Sequence, residues 1–283
     1  MSPKHLLFKT LFAAFSLAVF SSAALAESPL VDVDAADLGP EAAAGTLSGR
    51  ELFERYDAAN SGFVDAEVSL EMVLRDRNGR EDRRELSYRE LEVDGDGNKS
   101  LIVFDAPRAI KGTGLLSYSH LDRQDDQWLY LPALKRVKKV AARNKSGPFL
   151  GSEFAFEDMT AFELERFTYQ LLGQDDCGDE RCYQVERVPL DAQSCYSRHV
   201  VYMDTSALRI RQIDYYNREG ELNKTVSMSD FRQLDNGMWR AHHMLMANHL
   251  SGRATELIWH DYRVGVGLDA NRDFSVNALK RSR

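Results

Sequence analysis

From residue 64 onward the apolar residues of this chain recur at every second position, and that period constrains the fold more than any other feature. Val64, Ala66, Val68, Leu70, Met72 and Leu74 alternate with Asp65, Glu67, Ser69 and Glu71. Successive side chains on a strand point to opposite faces, so the run has one apolar face and one polar face. Asn78-Gly79 marks a tight turn after it. Further strand signals follow at 86–93, 100–104, 115–120, 128–131 and 137–141, then at 167–172, 183–188, 198–204, 210–216, 224–231, 238–248 and 254–264. Gly220, Asn236-Gly237 and Ser251-Gly252 punctuate the later runs. Short runs with these breaks predict a mainly β fold of about eleven antiparallel strands, in a strongly curved sheet or barrel.

Two stretches depart from this period. Ser48-Gly49-Arg50-Glu51 has capping-box spacing, in which the serine hydroxyl and the glutamate carboxylate each satisfy a free amide. Leu52, Phe53 and Tyr56 then share one face, and Asn60-Ser61-Gly62 is a stop signal, so an N-terminal helix over 49–59 is expected against the sheet. Residues 157–162 predict one short covering helix.

The first 26 residues read as an address rather than as fold. Lys4 and Lys9 precede an apolar centre from Leu11 to Phe20, and Ala24-Leu25-Ala26 is a small-residue cleavage site. The centre is shorter than the roughly 20 apolar residues that span a bilayer, and no second long run follows, so no stable transmembrane insertion is expected. Residue 27 is Glu rather than Cys, which gives no signal for lipid attachment. These features predict a signal peptide at 1–26 and a periplasmic chain cleaved after Ala26. Residues 27–47 are small and acidic, and read as a flexible arm. Loss of Lys4 and Lys9 takes the net charge from −8 to −10, which argues against a nucleic-acid partner. The remaining length accommodates one large all-β domain or two small ones, with 43% hydrophobic residues available for a core.

Three cysteines are an odd number for an oxidising compartment. Cys177 and Cys182 flank a short turn and are the easiest pair to close; alternatively Cys195 pairs with one of them and leaves the other thiol free. Asp94-Gly95-Asp96-Gly97-Asn98 is a turn rather than a calcium loop, because an EF-hand needs Gly at position six and Glu at position twelve, where this chain has Lys99 and Asp105. The 57–62 stretch fails in the same way, with Ala59 at a ligand position. Enzyme chemistry finds no support: there is no GxSxG elbow, no HExxH and no CxxC, and Ser119-His120 with Asp122 lacks triad character. His242 and His243 are adjacent on a strand and point to opposite faces, so no metal site is expected. No nucleotide-binding glycine pattern is present, and no cofactor is implied.

Residues 127–159 combine features found nowhere else in the chain. Trp128, Tyr130 and Leu131 precede Pro132. Lys135, Arg136, Lys138, Lys139, Arg143 and Lys145 follow, and then the turn breakers Gly147, Pro148 and Gly151 beside Phe149. Phe154, Phe156 and Met159 are interleaved with Glu153, Glu157 and Asp158. Cations, breakers and aromatics side by side suit the rim of a site. QWLYLPALKRVKKV followed by GSEFAFEDM resembles the outer membrane lipoprotein-sorting family, LolA-like proteins of a longer branch associated with exporters of the resistance-nodulation-division type. The similarity extends through 166–172, 183–186, Met203-Asp204 and the 215–224 hairpin, and covers roughly 50–275.

The resemblance implies one domain over 48–283, an incompletely closed eleven-stranded antiparallel β-barrel with helices over one mouth and an apolar cavity for acyl chains. It implies a non-enzymatic carrier of a lipid or lipoprotein, with an exporter of that type in the inner membrane as partner. Candidate lipid contacts are Trp128, Tyr130, Leu131, Phe149, Phe154, Phe156 and Met159. Candidate headgroup or partner contacts are Lys135, Arg136, Lys138, Lys139 and Arg143. A carrier needs chiefly a dry concave surface, since each methylene kept from water is worth about 0.8 kcal/mol and a 16-carbon chain roughly 12 kcal/mol gross. The second expectation is an adaptor that docks onto a transporter and carries nothing. A continuous apolar cavity distinguishes the first from the second.

Overall fold

The computed structural model describes residues 47–281; the leader at 1–26 and the acidic arm, except Leu47, lie outside the described residues. The N-terminal helix α1 (Gly49–Asn60) forms where the capping box directs it: Ser48 Oγ accepts from the Glu51 amide at 3.2 Å, and Glu51 Oε2 accepts from the Ser48 amide at 2.7 Å. Leu52 and Phe53 are fully buried, and the helix ends as Asn60 Nδ2 donates to the Tyr56 carbonyl.

Thirteen strands follow rather than about eleven. They are β1 (Asp65–Arg75), β2 (Glu81–Leu91), β3 (Lys99–Ala106), β4 (Gly114–Tyr118), β5 (Asp126–Leu131), β6 (Arg136–Lys139), β7 (Phe167–Cys177), β8 (Glu180–Pro189), β9 (Tyr196–Asp204), β10 (Ile210–Asn217), β11 (Leu222–Gln233), β12 (Trp239–Asn248) and β13 (Ala254–Val264). The count rises because every alternating run keeps its own turn. Even the four-residue run at 136–139 pairs with β5, from Trp128 opposite Lys139 to Leu131 opposite Arg136.

All thirteen lie in one sheet, ordered β6-β5-β4-β3-β2-β1-β13-β12-β11-β10-β9-β8-β7, with antiparallel neighbours throughout. Two meanders, β1 to β6 and β7 to β13, are stitched together by β1 against β13, the pair most distant in sequence. The sheet is not closed, and β6 and β7 are its edges. It is nonetheless curled, because Leu115 of β4 and Val185 of β8, near opposite edges, belong to one buried cluster with Leu52 and Phe53.

Alternation sorts side chains between two layers. On β3, Ile102 and Phe104 enter the main cluster, while Leu101 and Val103 face a second one; on β4, Leu115 and Leu116 divide in the same way. The second cluster is covered by α2 (Ala270–Asp273) and α3 (Val276–Arg281); Phe274, just after α2, and Leu279 of α3 enter it, both fully buried. No sequence period marks these short helices. Their approach is held by Asp65, whose buried carboxylate accepts from the amides of Val266, Gly267 and Leu268 at 2.7–3.2 Å. Cys177 and Cys182 are disulfide-bonded across the β7–β8 turn, and the Cys195 thiol is free.

Gly49 generates a test of this packing. A Cβ there would lie 2.8 Å from the Leu171 amide nitrogen and 2.9 Å from the Gln170 carbonyl carbon, both backbone atoms of β7. Glycine to alanine in a helix ordinarily stabilises by about 0.5–1 kcal/mol, but here neither neighbour can rotate away. Gly49→Ala is expected to destabilise by about 1–3 kcal/mol, the range for overpacking, as read from urea unfolding midpoints. A stabilised variant would show that α1 rides loosely on β7.

Candidate functional site

Residues 140–166 join one edge of the sheet to the other, and they do so through its concave side. Phe149 and Phe154 are buried in the main cluster, and Ser152, Glu153 and Ala155 are buried beside them. Backbone taken into such a place must find partners, and side chains from around the sheet supply them. Arg84 donates to the Leu150 carbonyl at 2.8 Å, Arg253 to Gly151 at 2.7 Å, Lys224 to Glu153 at 2.7 Å and Gln127 to Phe156 at 2.8 Å. The Glu153 amide donates to Thr255 Oγ1 at 2.9 Å, and the Ala161 amide to Ser119 Oγ at 3.1 Å. The strap is fastened to both halves of the sheet. The expected covering helix is only a 3-10 turn at Phe156–Met159.

Beside this strap the concave side is not filled. A cavity of about 830 Å³ is bounded by α1, the strap and strands β10 to β13. Its apolar wall includes Phe63, Phe162, Leu208, Ile210, Met228, Phe231, Trp239, Met244, Trp259 and Tyr262. A second cavity of about 360 Å³ lies against Phe154, Arg187, Tyr196, His199, Ile213 and Tyr215. The two share Tyr56, Phe162, Glu163, Ile210, Met228 and Met244 as common wall. Both volumes fall in the range of about 300–1,000 Å³ usual for small-molecule sites. The register explains the common wall, since Met228 lies directly opposite Met244 on adjacent strands, and Met244 opposite Leu257.

Charged groups in the larger wall are mostly held by neighbours. Arg240 donates to Asn60 Oδ1 at 2.7 Å and lies over the Phe63 and Tyr262 rings. Arg209 is paired with Asp204 at 2.7 Å, and Glu92 accepts from the Gly62 and Val64 amides. Burial raises the Glu90 carboxyl above its usual range, and burial raises Glu163 to about 7. In the smaller wall Asp158 Oδ2 accepts from both the Ala155 amide, at 2.7 Å, and the Tyr196 hydroxyl, at 2.9 Å. Burial nevertheless carries Asp158 to about 6, against the opposing pull of Lys224 and these two donors.

The seven aromatic and apolar residues singled out from sequence do not converge on these cavities. Phe154 lines the smaller one. Trp128 and Tyr130 sit on the opposite face, in the cluster beneath α2 and α3, where Trp128 packs edge-on to Tyr118. Leu129, between them, is the residue of β5 that joins the main cluster. Phe149 is fully buried in that core, Phe156 and Met159 pack against it, and Leu131 is half-buried near the end of β5; none of the four lies in a cavity wall. Trp128 and Tyr130, two apart on β5, share its outer face, whereas Phe149, Phe154, Phe156 and Met159 belong to the strap inside the curl.

Lys135, Arg136, Lys138, Lys139 and Arg143 are exposed on and beside the edge strand β6; none lines a cavity, though Arg143 follows Ala142, which borders the smaller one. Lys139 pairs with Asp126 at 2.5 Å and stands over Trp128; the other four have no side-chain partner among the described residues. Lys145 is buried, donating to the Asp125 carbonyl at 2.6 Å. The wall residues missed in the sequence, Met228, Met244 and Trp259 foremost, were signalled by alternation within their own strands. Choosing them needed the register that sets them side by side. No group of three His, Cys, Asp or Glu residues suited to a metal occurs among the described residues.

The profile of a family described as "Uncharacterized protein" matches residues 96–281. No curated protein matches the chain. Among solved structures, a protein described as an outer membrane lipoprotein-sorting protein domain, from Vibrio parahaemolyticus, superposes with a TM-score of 0.80 at 41% identity. That match covers 82% of this chain and 98% of the other. A DUF1329 family protein from Desulfovibrio piger gives 0.78 at 29% identity, covering 82% and 97%. A LolA superfamily protein from Nitrosomonas europaea shares the fold at a TM-score of 0.67 and 19% identity, covering 82% and 99%.

Asp158 supplies a test of the cavity wall. Its folded-state pKa, about 6, lies above the ordinary 3.8, so the folded protein holds this proton more tightly than the unfolded chain. That contribution is fully present below about pH 4 and is lost as pH rises through about 6. Asp158→Asn keeps an acceptor for both donors and removes the titration. Its stability relative to the parent is expected to improve by about 1 kcal/mol or more across that window, a full shift being discounted because some solvent reaches the partly buried carboxyl. Urea midpoints at the two ends of the window measure it, and a constant difference would contradict burial as the cause.

Proposed function

The chain belongs to the LolA-like outer membrane lipoprotein-sorting protein family, and on that premise we propose that it is a periplasmic carrier that holds the acyl part of a lipid or lipoprotein in the larger cavity. The observation that carries this reading is a cavity of about 830 Å³ on the concave side of an unclosed sheet, with an apolar wall of strand residues and a polar margin that includes Asp57, Glu92, Asp94 and Asn98. Half-buried Met228, Phe231, Met244 and Trp259 line it, although residues of their kind ordinarily fill a core. Removing acyl methylenes from water supplies the affinity, at about 0.8 kcal/mol each before ordering costs. Methionines suit such a wall because their unbranched, polarisable side chains adapt to a chain of varying shape. Carriage needs no covalent chemistry. No helix among the described residues is long and apolar enough to cross a membrane.

The proposed partner that loads or receives the cargo is an inner-membrane exporter of the resistance-nodulation-division type. Support for a docking edge comes from Lys135, Arg136, Lys138 and Arg143, exposed and unpaired beside β6. Cations on an edge strand also discourage pairing with other chains, so their exposure fits an adaptor that carries nothing as well as a carrier. The open cavity favours the carrier.

Native mass spectrometry of protein purified from its own periplasm, with extraction of what co-purifies, tests the reading. A stoichiometric lipid or lipoprotein is expected. Met228→Asp and Met244→Asp place a charge in the wall common to both cavities and are expected to reduce acyl-probe uptake by about tenfold or more, with the β-sheet circular dichroism intact. A clean apo mass together with no uptake of acyl probes would leave the adaptor.

A further inference from the structure

Arg187 of β8 is 8% exposed and lines the smaller cavity. Among the described residues its guanidinium makes one hydrogen bond, from Nε to His199 Nδ1 at 3.0 Å, and no ion pair. Both terminal nitrogens lack an acceptor. Phe167, Phe162 and Phe53 lie 4.8, 5.5 and 5.8 Å from Cζ. Ring contacts of this kind offset only part of the solvation that a cation gives up on leaving water. The rings also offer no lone pair to the terminal N–H groups.

The same hydrogen bond settles the state of His199. An arginine Nε–H can only donate, so Nδ1 accepts, and the neutral ring carries its proton on Nε2. Burial and the adjacent Arg187 charge hold this histidine well below its usual pKa, which keeps it neutral. Its Nε2 is buried and has no partner. The wall therefore contains a cation whose terminal nitrogens have no protein acceptor and reach the cavity, and beside it a buried N–H donor without a partner. Its carboxylates are engaged elsewhere: Glu157 with the Cys195 amide, Asp158 with Tyr196, Glu163 with the Asn98 amide, and Asp125 and Asp191 with Arg166. None pairs with Arg187.

We propose that Arg187 and His199 form an oxyanion-binding site that takes the carboxylate or phosphate end of an amphiphile whose chain lies in the larger cavity. The two spaces adjoin at Phe162, Met228 and Met244, and the proposed amphiphile passes between these side chains. A planar fork of N–H donors suits an oxyanion, and its charge supplies what the rings do not. The placement of the chain rests on the carrier reading; the oxyanion site does not.

The test uses the full chain and four probes: decanoate, decyl phosphate, decanol and inorganic phosphate. Binding is followed by calorimetry and by the fluorescence of Trp239 and Trp259, which line the larger cavity. The charged amphiphiles are expected to bind tighter than decanol by on the order of tenfold to hundredfold, the size of a charge-assisted hydrogen bond. Arg187→Met should erase that preference while leaving decanol binding unchanged, which also shows that the variant folds. Arg187→Lys should retain part of it. Phosphate binding that depends on Arg187, without a gain from the decyl chain, would support the oxyanion site and assign it to a free anion. Equal binding of decanoate and decanol would overturn the site and leave the carrier reading standing. Binding by none of the four would overturn both.

Discussion

The structure depends on one requirement: the strap at 140–166 must lie on the concave side of an open sheet without leaving buried backbone groups unpaired. Consecutive strands elsewhere are joined by local turns, but β6 and β7 are the two edges, so the chain between them has to cross the whole curl. An apolar trough offers nothing to a carbonyl, and an unsatisfied one costs about 1–3 kcal/mol. Arg84, Gln127, Lys224, Arg253 and Thr255 answer that demand from strands and turns of both meanders. Their polar ends reach inward to the strap while apolar neighbours on the same strands form the cluster around Phe149. The strap thereby ties the meanders together a second time, with Arg84 of β2 and Thr255 of β13 holding it on either side of the β1–β13 seam.

Because the strap occupies only part of the concavity, the remaining space becomes the two cavities. The boundary between filled core and open space runs through the strap itself. Phe149 is packed in the core, Phe154 borders the smaller cavity, and Phe162 is shared by both cavity walls. Charge follows the same division. Glu153 is buried in contact with Arg253 and Asn248, while Asp158 and Glu163 face the cavities and are pushed towards their neutral forms. Arg187 stands out against this background as the cation whose terminal nitrogens no protein group accepts.

Much of the architecture was legible in the residues. Ser48 and Glu51 announced α1, and every alternating run became a strand, although β2 begins and β7 ends five residues beyond the expected limits. Each of those signals is local, a matter of period or of a cap within four residues. The site was less legible. Trp128, Tyr130, Phe149 and Phe156 form a conspicuous aromatic cluster along the chain, yet they separate into an outer layer and a packed core. Met228, Met244 and Trp259 are unremarkable along the chain and meet only through strand register. The cover of α2 and α3 over the outer face was equally unmarked, because Phe274 and Leu279 have too few neighbours to define a period.

The amino-acid sequence by itself determined the period of two, the turns that cut it into strands and the capped helix that leads into it. These are short-range consequences of backbone geometry and side-chain polarity. Its resemblance to the lipoprotein-sorting family was carried by the strap residues GSEFAFEDM. Only the tertiary structure decided which face of each strand looks into the trough, which aromatics fill it and which line its empty part. Strand alternation specifies two faces but not which one turns inward; that depends on the curl of thirteen strands and on where one long connection lies across them.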